Sequence, residues 1–492
     1  GDGQRQGCIP TPKLNWVAPD GALVDAAMPG CAIYRQGDGK RDIHDWGMEF
    51  TAAGVVLQSE LLLISRNPQA IAHYLPLLER AANFIETRRD PANDLFLAGP
   101  AANLLAPSYA GWKKPDGTYG KAYLAGLSIT YIAALDRLIE LETLAGKPEK
   151  AALYSRRRDL ARAGLPALAT PEGYFIKYLD PDGTRHGVFG APEHGYFETS
   201  PNHDAIAFRV VGDAQAARIM DKITSIPGLR PHHLILPNYP SLDDIYTEPA
   251  GLWRFGNWVN GGHWSTCEAR MMLAYFRLGR FDDAAESMRR ILTFADRFRM
   301  DNNRTNFGAD VYQPKEPINI TYDAFAIPAA LRRGLFEYLY RAHSLTLIPH
   351  IPTAVTELQQ LDPVRYGSKR LYLATFGSGP ITQVTVNARP WPHFTKDRVE
   401  LPYAATPTDA TAVLLRGNAK PGPLHFQIRP RETYPAAHRR LLAEARQAQA
   451  ERARLFSAGK LPPLPSESAQ SADQSYLDTI ECLAAGLAWY AQ

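Results

Sequence analysis

Residues Leu124-Ala-Gly-Leu127-Ser-Ile-Thr-Tyr131-Ile-Ala-Ala-Leu135-Asp-Arg-Leu138-Ile-Glu-Leu141-Glu-Thr-Leu-Ala-Gly146-Lys-Pro148-Glu-Lys-Ala151 decide how the chain is read. Apolar residues recur at steps of three and four, which is one face of a helix over 120–145. Gly146 stops that helix, and Pro148 suits the first turn of another running over 148–169. Two antiparallel helices joined by a tight turn result. The same device returns at Leu278-Gly279-Arg280-Phe281, at Val211-Gly212-Asp213, and more loosely at Ser65-Arg66-Asn67-Pro68.

The flanking helices fall near 48–66 and 68–88, 120–145 and 148–169, 201–212 and 213–226, and 263–279 and 281–299, with an earlier one near 19–35 and a later one near 321–342. Between the pairs, residues 89–119, 170–200, 227–262 and 300–320 are long connections rich in Gly, Pro, Asn and aromatics. Loops of that length inside a compact domain are usually functional. If antiparallel helices alternate and every second connection is tight, all the long ones leave at the same end, so one end is closed and the other holds a site. The expected fold is mainly α: an (α/α)6 toroid over 1–342, with a missing helix or two hidden in loops or supplied by 474–491.

After residue 343 short alternating segments take over: Arg370–Thr375, Ile381–Val386, Arg398–Leu401, Thr411–Leu415 and His425–Ile428. They predict a small antiparallel, β-sandwich-like domain over 343–432. Residues 433–492 read as C-terminal helices packing on the barrel: a charged helix over 435–458, a Pro/Ser linker over Pro462–Asp473, and an amphipathic helix around Tyr476–Tyr490.

With 492 residues, 45% of them hydrophobic, the chain can bury a large core. Its 54 basic and 51 acidic residues are well mixed and leave a net charge of +3, so neither nucleic acid nor a membrane is expected as a partner. No apolar run of signal or transmembrane length stands out. Cys8, Cys31, Cys267 and Cys482 show no metal-ligand spacing; one disulfide stays open, while Cys267 and Cys482 fall in helical patterns that suit buried thiols. There is no P-loop, no GxGxxG after a strand, no HExxH and no GxSxG, and neither metal nor cofactor is expected. The start at Gly1-Asp2-Gly3 fits a processed end, which would place the chain in a secreted or periplasmic setting. Oligomeric state is not legible.

The open end collects the chemistry. Glu198 lies in Tyr196-Phe197-Glu198-Thr199-Ser200-Pro201-Asn202-His203-Asp204, where an aromatic loop runs into a helix that Ser200 or Thr199 would cap. Other segments bring Asp45, Trp46 and Glu49; Trp112; Asn202 and His203; Trp258, Asn260, His263 and Trp264; and Tyr312, Glu316, Tyr322 and Asp323. Glycoside hydrolysis needs such a set: one carboxyl to protonate the leaving oxygen, a second to activate water, and rings and amides to hold the sugar. Inversion asks for carboxyls about 6.5–9.5 Å apart, a span that different loops can bridge across a funnel.

Each residue also has a structural reading. Asp45 suits a helix cap, Glu49 a solvated helix face, and Glu316, between Lys315 and Pro317, a surface charge. Asn202, Asp204 and Asp323 stand at helix starts, where capping alone would place them. Glu268 fits an internal hydrogen-bonding partner, His203 and His263 fit structural histidines, and Trp46, Trp258 and Trp264 fit a core. Trp112, between Gly111 and Lys113, is the candidate stacking platform.

Taken together, Asp45-Trp-Gly-Met-Glu-Phe50, Trp258-Val-Asn260-Gly-Gly-His263-Trp264 and Tyr322-Asp323-Ala-Phe-Ala-Ile-Pro328 leading to Gly334-Leu-Phe336 resemble the (α/α)-barrel glycosidases, over residues 15–390. That group includes trehalases, glucoamylases and maltose phosphorylases. The resemblance implies a general acid in the loop between the fifth and sixth barrel helices and a general base before the last, positions held here by Glu198 and Glu316. The Asp45-Trp46 order is permuted relative to the Trp-Asp of the phosphorylases, and trehalase-like enzymes use an Asp as acid, so Asp45 rivals Glu198. The expectation is an inverting, exo-acting glycoside hydrolase on an oligosaccharide, with Tyr196 and Phe197 raising the pKa of Glu198 by desolvation. A polysaccharide lyase or sugar epimerase using His203, His263, Tyr312 and Tyr322, and a non-catalytic sugar-binding toroid, are the alternatives.

Overall fold

The computed structural model describes residues 20–23, 26–28, 31–33, 48–98, 121–242, 255, 260–262, 265–295, 326–426, 428 and 433–459. Helices in hairpin order dominate the first part: α1 (Met48–Ser65), α2 (Pro68–Glu86), α3 (Ala125–Leu144), α4 (Pro148–Gly164), α5 (Ser200–Ala207), α6 (Asp213–Ser225), α7 (Ser265–Arg277), α8 (Phe281–Ala295) and α9 (Ala326–Leu335). The tight turns have the chemistry that helix ends require. Gly146 and Gly279 adopt positive φ, and the next amides reach back to close α3 and α7, Lys147 N–H to the Glu142 carbonyl and Arg280 N–H to that of Tyr275, both at 2.9 Å. Asn67 caps α2 by accepting from the Ala70 amide at 2.9 Å, with Pro68 in the first position.

The odd helices pack on one another in succession, α1 on α3, α3 on α5, α5 on α7 and α7 on α9, and each even helix packs on its own hairpin partner. Burial follows. Fourteen of the twenty residues of α3 are buried, from Leu127 and Tyr131 to Leu138 and Leu141, whereas α4 buries Ala151, Tyr154, Ala161 and Gly164. This inner and outer layering is what a toroid requires, though the described residues hold five odd and four even helices rather than six pairs. Helix α1 is long and apolar enough, by length and composition, to cross a membrane, a run that did not stand out in the sequence. Ten of its eighteen residues are buried, because an inner helix meets neighbours around much of its circumference.

Short strands thread the connections: β1 (Ala26–Met28), β2 (Cys31–Ile33), β3 (Leu97–Ala98), β4 (Ala122–Leu124), β5 (Tyr178–Leu179), β6 (Arg185–His186), β7 (Phe197–Glu198) and β8 (Asn238–Tyr239). Strands β1 and β2 pair antiparallel, so 26–28 and 31–33 are strands where a helix was expected near 19–35. Helix α5 ends at Ala207 rather than 212, where Arg209 takes a positive φ. The late helix expected to reach 342 ends at Leu335 and passes directly into a strand.

That strand, β9 (Phe336–Tyr340), pairs with β10 (Ser344–Pro349), and β10 also pairs with β16 (Val399–Pro402). The remaining strands are β11 (Glu357–Gln359), β12 (Val364–Tyr366), β13 (Lys369–Gly377), β14 (Ile381–Val386), β15 (Arg389–Pro390) and β17 (Asp409–Arg416), and they form one sheet ordered β11-β13-β17-β14-β15, with β12 on β13. The expected all-antiparallel pairing fails at one ladder. Strand β17 inserts between β13 and β14, antiparallel to β14 and therefore parallel to β13. Residues 425 and 426 form no strand; Phe426 stacks on Tyr372 instead, with centroids 5.2 Å apart. The last described element is α10 (Tyr434–Ser457).

The β-domain meets the helices at their tight-turn end. Arg66, between α1 and α2, donates to the Ala342 carbonyl at 2.8 Å, and Glu140 near the end of α3 accepts from the Ala342 amide at 2.8 Å. Arg209, just past α5, grips Glu337 of β9 through two hydrogen bonds of 2.5 and 2.6 Å, and His350 adds a third at 2.8 Å. Burial alone would raise the Glu337 carboxyl, but Arg209 and His350 outweigh it and hold it down to about 2 from its ordinary 4.5. A carboxylate depressed in the fold stabilises above its unfolded pKa and loses that contribution as pH falls through the folded one. We expect Glu337→Gln to cost roughly 3 kcal/mol at pH 7, with the deficit to wild type shrinking between about pH 5 and 2, as denaturant titrations across that range will show.

Candidate active site

The other end gathers the N-termini of the odd helices. The amide of Ala125, first residue of α3, donates to the Lys177 carbonyl at 3.0 Å. Lys177 Nζ donates to Glu198 Oε2 at 3.1 Å, just before α5, and both side chains are 2% exposed. Glu49, the second residue of α1, feels the charges of Lys177 and of Glu198. Cys267, in the first turn of α7, feels those of Arg270, Asp204 and Glu198, although burial is what chiefly pushes its thiol up. Five segments distant in sequence thus meet at the end where the long connections emerge.

Glu198 is set by its backbone. It lies in β7 opposite Asn238 of β8. Thr199 and Ser200 do not cap α5, contrary to expectation. Thr199 Oγ1 donates to the carbonyls of Leu236 and Pro237 at 2.8 and 3.0 Å, and Ser200 Oγ turns back to donate to Glu198 Oε1 at 3.0 Å. Asn202 ties two stretches together: its Nδ2 donates to the carbonyls of Phe175 and Glu198 at 2.9 and 2.8 Å, and its Oδ1 accepts from the Phe175 amide at 2.8 Å. Lys177 is delivered by the hairpin of β5 and β6, its amide bonded to the His186 carbonyl at 2.8 Å. Gly187 is required beside it, since a Cβ there would lie 2.7 Å from the Lys177 nitrogen and φ is +96°.

The electrostatics single out Glu49. It is 2% exposed, and among the described residues its Oε1 has no hydrogen-bond partner. Burial pushes its carboxyl well above the usual range; a backbone hydrogen bond and Lys177 pull it down and Glu198 pushes it further up, so the neutral acid is favoured. His203 is fully buried, with Nδ1 2.8 Å from Asp204 Oδ1. Burial lowers its pKa against the pull of Asp204. Burial would raise Asp204, but Arg270, 2.6 Å away, and His203 hold it below its ordinary value. Nδ1–H therefore donates to the carboxylate and leaves Nε2, which has no partner among the described residues, as a bare acceptor.

Glu49, Glu198, Asn202, His203 and Asn260 are the candidates that the described residues contain. Glu49 and Glu198 come together; Asn202 serves as a clamp; and Asn260 holds its own loop, accepting from the Leu242 amide at 2.8 Å and from Asn238 at 3.1 Å. Glu268 accepts from the Ile235 amide and from Ser287, each at 2.6 Å. Asp45, Trp46, Trp112, Trp258, His263, Trp264, Tyr312, Glu316, Tyr322 and Asp323 lie outside the described residues. Lys177 and Arg270 were not among the candidates, because they stand in no motif; their pairing with Glu198 and Asp204 exists only across the fold.

No family model and no curated protein matches the chain in sequence. Among solved structures it is similar to a protein named sialidase (14% identity, 72% of this chain and 33% of that one, TM-score 0.49). It is also similar to a GH78 rhamnosidase of a Bacillus species (13%, 65% and 31%, 0.38) and to a GH63 mannosylglycerate hydrolase from Thermus thermophilus in complex with glucose (15%, 64% and 84%, 0.42). The chain spans about a third of the length of the first two. These neighbours are glycosidases by name, and none is a trehalase, a glucoamylase or a maltose phosphorylase. Likeness at this level carries no argument about activity, which rests on the geometry above.

That geometry makes Asn202 the fastener between the Glu198 strand and the Lys177 hairpin. Asn202→Ala leaves one amide and two carbonyls unpaired in the interior, at about 1–3 kcal/mol each. We expect a loss of roughly 3 kcal/mol in denaturant unfolding, together with faster amide exchange at Phe175.

Proposed function

We propose that the chain is a carbohydrate-active enzyme that cleaves a glycosidic bond, with Glu49, Lys177 and Glu198 forming the floor of its active site. One observation carries this reading: Lys177 pairs with the buried Glu198 while its charge also acts on the buried Glu49, at the end where the long connections emerge, and burial pushes the Glu49 carboxyl well above the usual range. Glycoside cleavage begins with such a proton donor. In this assignment Glu49 protonates the leaving oxygen, and Glu198, both of whose oxygens already accept hydrogen bonds, holds Lys177 and Ser200 in place. Glu198 thereby passes the acid role expected of it to Glu49. Glu316 remains the residue proposed to activate water, and attack on a chain end of an oligosaccharide with inversion completes the reading. Asp45, four residues before Glu49, is proposed to bind the sugar.

His203 supports a second reading. A neutral imidazole anchored by Asp204 and bare at Nε2 suits proton removal at carbon, as in a lyase or epimerase. Formation of an unsaturated uronate with retained activity in Glu49→Gln would select it.

With Glu49 as acid, Glu49→Gln should lower kcat on activated and natural glycosides by about 10²–10⁴-fold while the far-ultraviolet spectrum stays that of wild type. The pH profile separates this role from a structural one. An acid acts while protonated, so activity falls as pH rises through its pKa. Lys177→Met removes a charge that lowers the Glu49 pKa and should move the alkaline limb to higher pH; Glu198→Gln removes one that raises it and should move that limb down. Near-wild-type turnover in Glu49→Gln would sink the assignment.

A further inference from the structure

Where the β-domain meets the helices, a cavity of about 340 Å³ is walled by α1, α3, α4, the end of α5 and β9. Its charged lining is unequal. Arg137, Arg158, Arg162, Arg209 and Arg341 line it, and Arg333 reaches the same wall by pairing with Glu60. Against these six guanidiniums stand the four carboxylates of the lining, Glu60, Asp136, Glu140 and Glu337. Two of the four are shared. Asp136 lies 3.1 Å from both Arg158 and Arg162, one turn apart on α4, and Glu60 takes Arg137 at 2.8 Å as well as Arg333. Asp159 also meets Arg158, but it is exposed and water screens its charge.

Open donors accompany the excess charge. A guanidinium carries five N–H groups. Arg137 gives Nε to Glu60 and Nη1 to the Ala133 carbonyl, and Arg209 gives Nε and Nη2 to Glu337. Among the described residues, Nη2 of Arg137 and Nη1 of Arg209 have no hydrogen-bond partner. Burial pulls the Arg137 guanidinium down to about 10 although Asp136 pushes it up, so this charge is short of counter-charge. Leu63, Phe208 and Leu339 supply an apolar part of the lining, with the Phe208 ring 5.4 Å from the Arg137 guanidinium carbon.

We propose that this cavity binds a phosphate-type dianion, free or as a monoester, in the forks of Arg137 and Arg209, with Arg158, Arg162 and Arg341 completing the cationic wall. A dianion balances the excess of two guanidiniums, and planar forks with open N–H groups match phosphate oxygens. The carbon part of a monoester has Leu63 and Phe208 to pack on. Glu60 is eleven residues past Glu49 on α1, about 16 Å at the rise of a helix, so this site stands apart from the chemical end. An occupant touches α1, α3, α4 and β9 together, and so ties the helices to the β-domain and stabilises the fold by mass action.

Calorimetric titration of the full chain with inorganic phosphate and with glycerol 3-phosphate, each exchanged for chloride at constant ionic strength, tests the site. Both should bind saturably. Arg158→Gln, which leaves Arg162 on Asp136, should weaken both about tenfold, the factor that ~1.4 kcal/mol gives. Tighter binding of the ester assigns the site to a monoester, and equal binding assigns it to the dianion alone. In parallel, phenylglyoxal modification of the wild-type chain is read by peptide mass, which needs neither a folded variant nor turnover. Phosphate should slow modification of Arg158, Arg162 and Arg341 and leave that of the exposed Arg398 unchanged. Absence of saturable binding by either probe at millimolar concentration overturns the proposal, as does binding that protects none of the three arginines or is unchanged in Arg158→Gln.

Discussion

Tight reversal at the end of each odd helix is the constraint on which the rest depends. Positive φ at Gly146 and Gly279, and the proline openings of α2 and α4, send each even helix straight back along its partner. Successive odd helices then run the same way, and their N-termini collect at one end. Helix N-termini carry unsatisfied amides and a partial positive charge, so this end favours carboxylates. Glu49, Glu198, Asp204 and Glu268 are all buried there. None is left to bear burial alone: Lys177 meets Glu198, Arg270 and His203 meet Asp204, the Ile235 amide and Ser287 meet Glu268, and the charge of Lys177 acts on Glu49.

The opposite end solves a different problem. There the odd helices present carbonyls and short turns, and the β-domain lies against them. Arg66, Glu140 and Arg209 each sit where an odd helix ends and each binds the segment over 337–342. Strand β9 follows α9 without a break, so no linker separates the helices from the first strand of the sheets. The stabilising ion pairs are thereby separated from the chemical end by the length of the helices, so the loops near Glu198 can vary without loosening the anchor of the β-domain.

Much of the helical plan was legible because it is local. Gly146, Gly279, Asn67 and Pro148 act within a few residues, and the three-four spacing of α3 needs no partner to be seen. The failures came where distant parts decide. Arg209 cuts α5 short, and β17 runs parallel to β13 because it enters a gap left by β14, which no alternation pattern encodes. At the site, the reading of Glu49 as a solvated helix face fails because the elements that bury it, and the charge of Lys177 that acts on it, come from elsewhere in the chain. Ser200 and Thr199 looked like caps on composition, yet Glu198 and the backbone leading into β8 claim their hydroxyls.

Charge balance underlies the different roles proposed for Glu49 and Glu198, both buried glutamates, one in the first turn of α1 and the other just before α5. Two ionised carboxylates around one ammonium would leave a net negative charge with little water to solvate it, and burial penalises that charge steeply. Keeping one proton makes the trio neutral. Glu198 is the partner in contact with Lys177, and it also accepts from Ser200, so both of its oxygens are engaged. Glu49 has an unpartnered Oε1 and feels Glu198 as a repelling charge, so the proton is favoured on it. The asymmetry comes from where the fold delivers the serine and the lysine rather than from the carboxyl groups themselves.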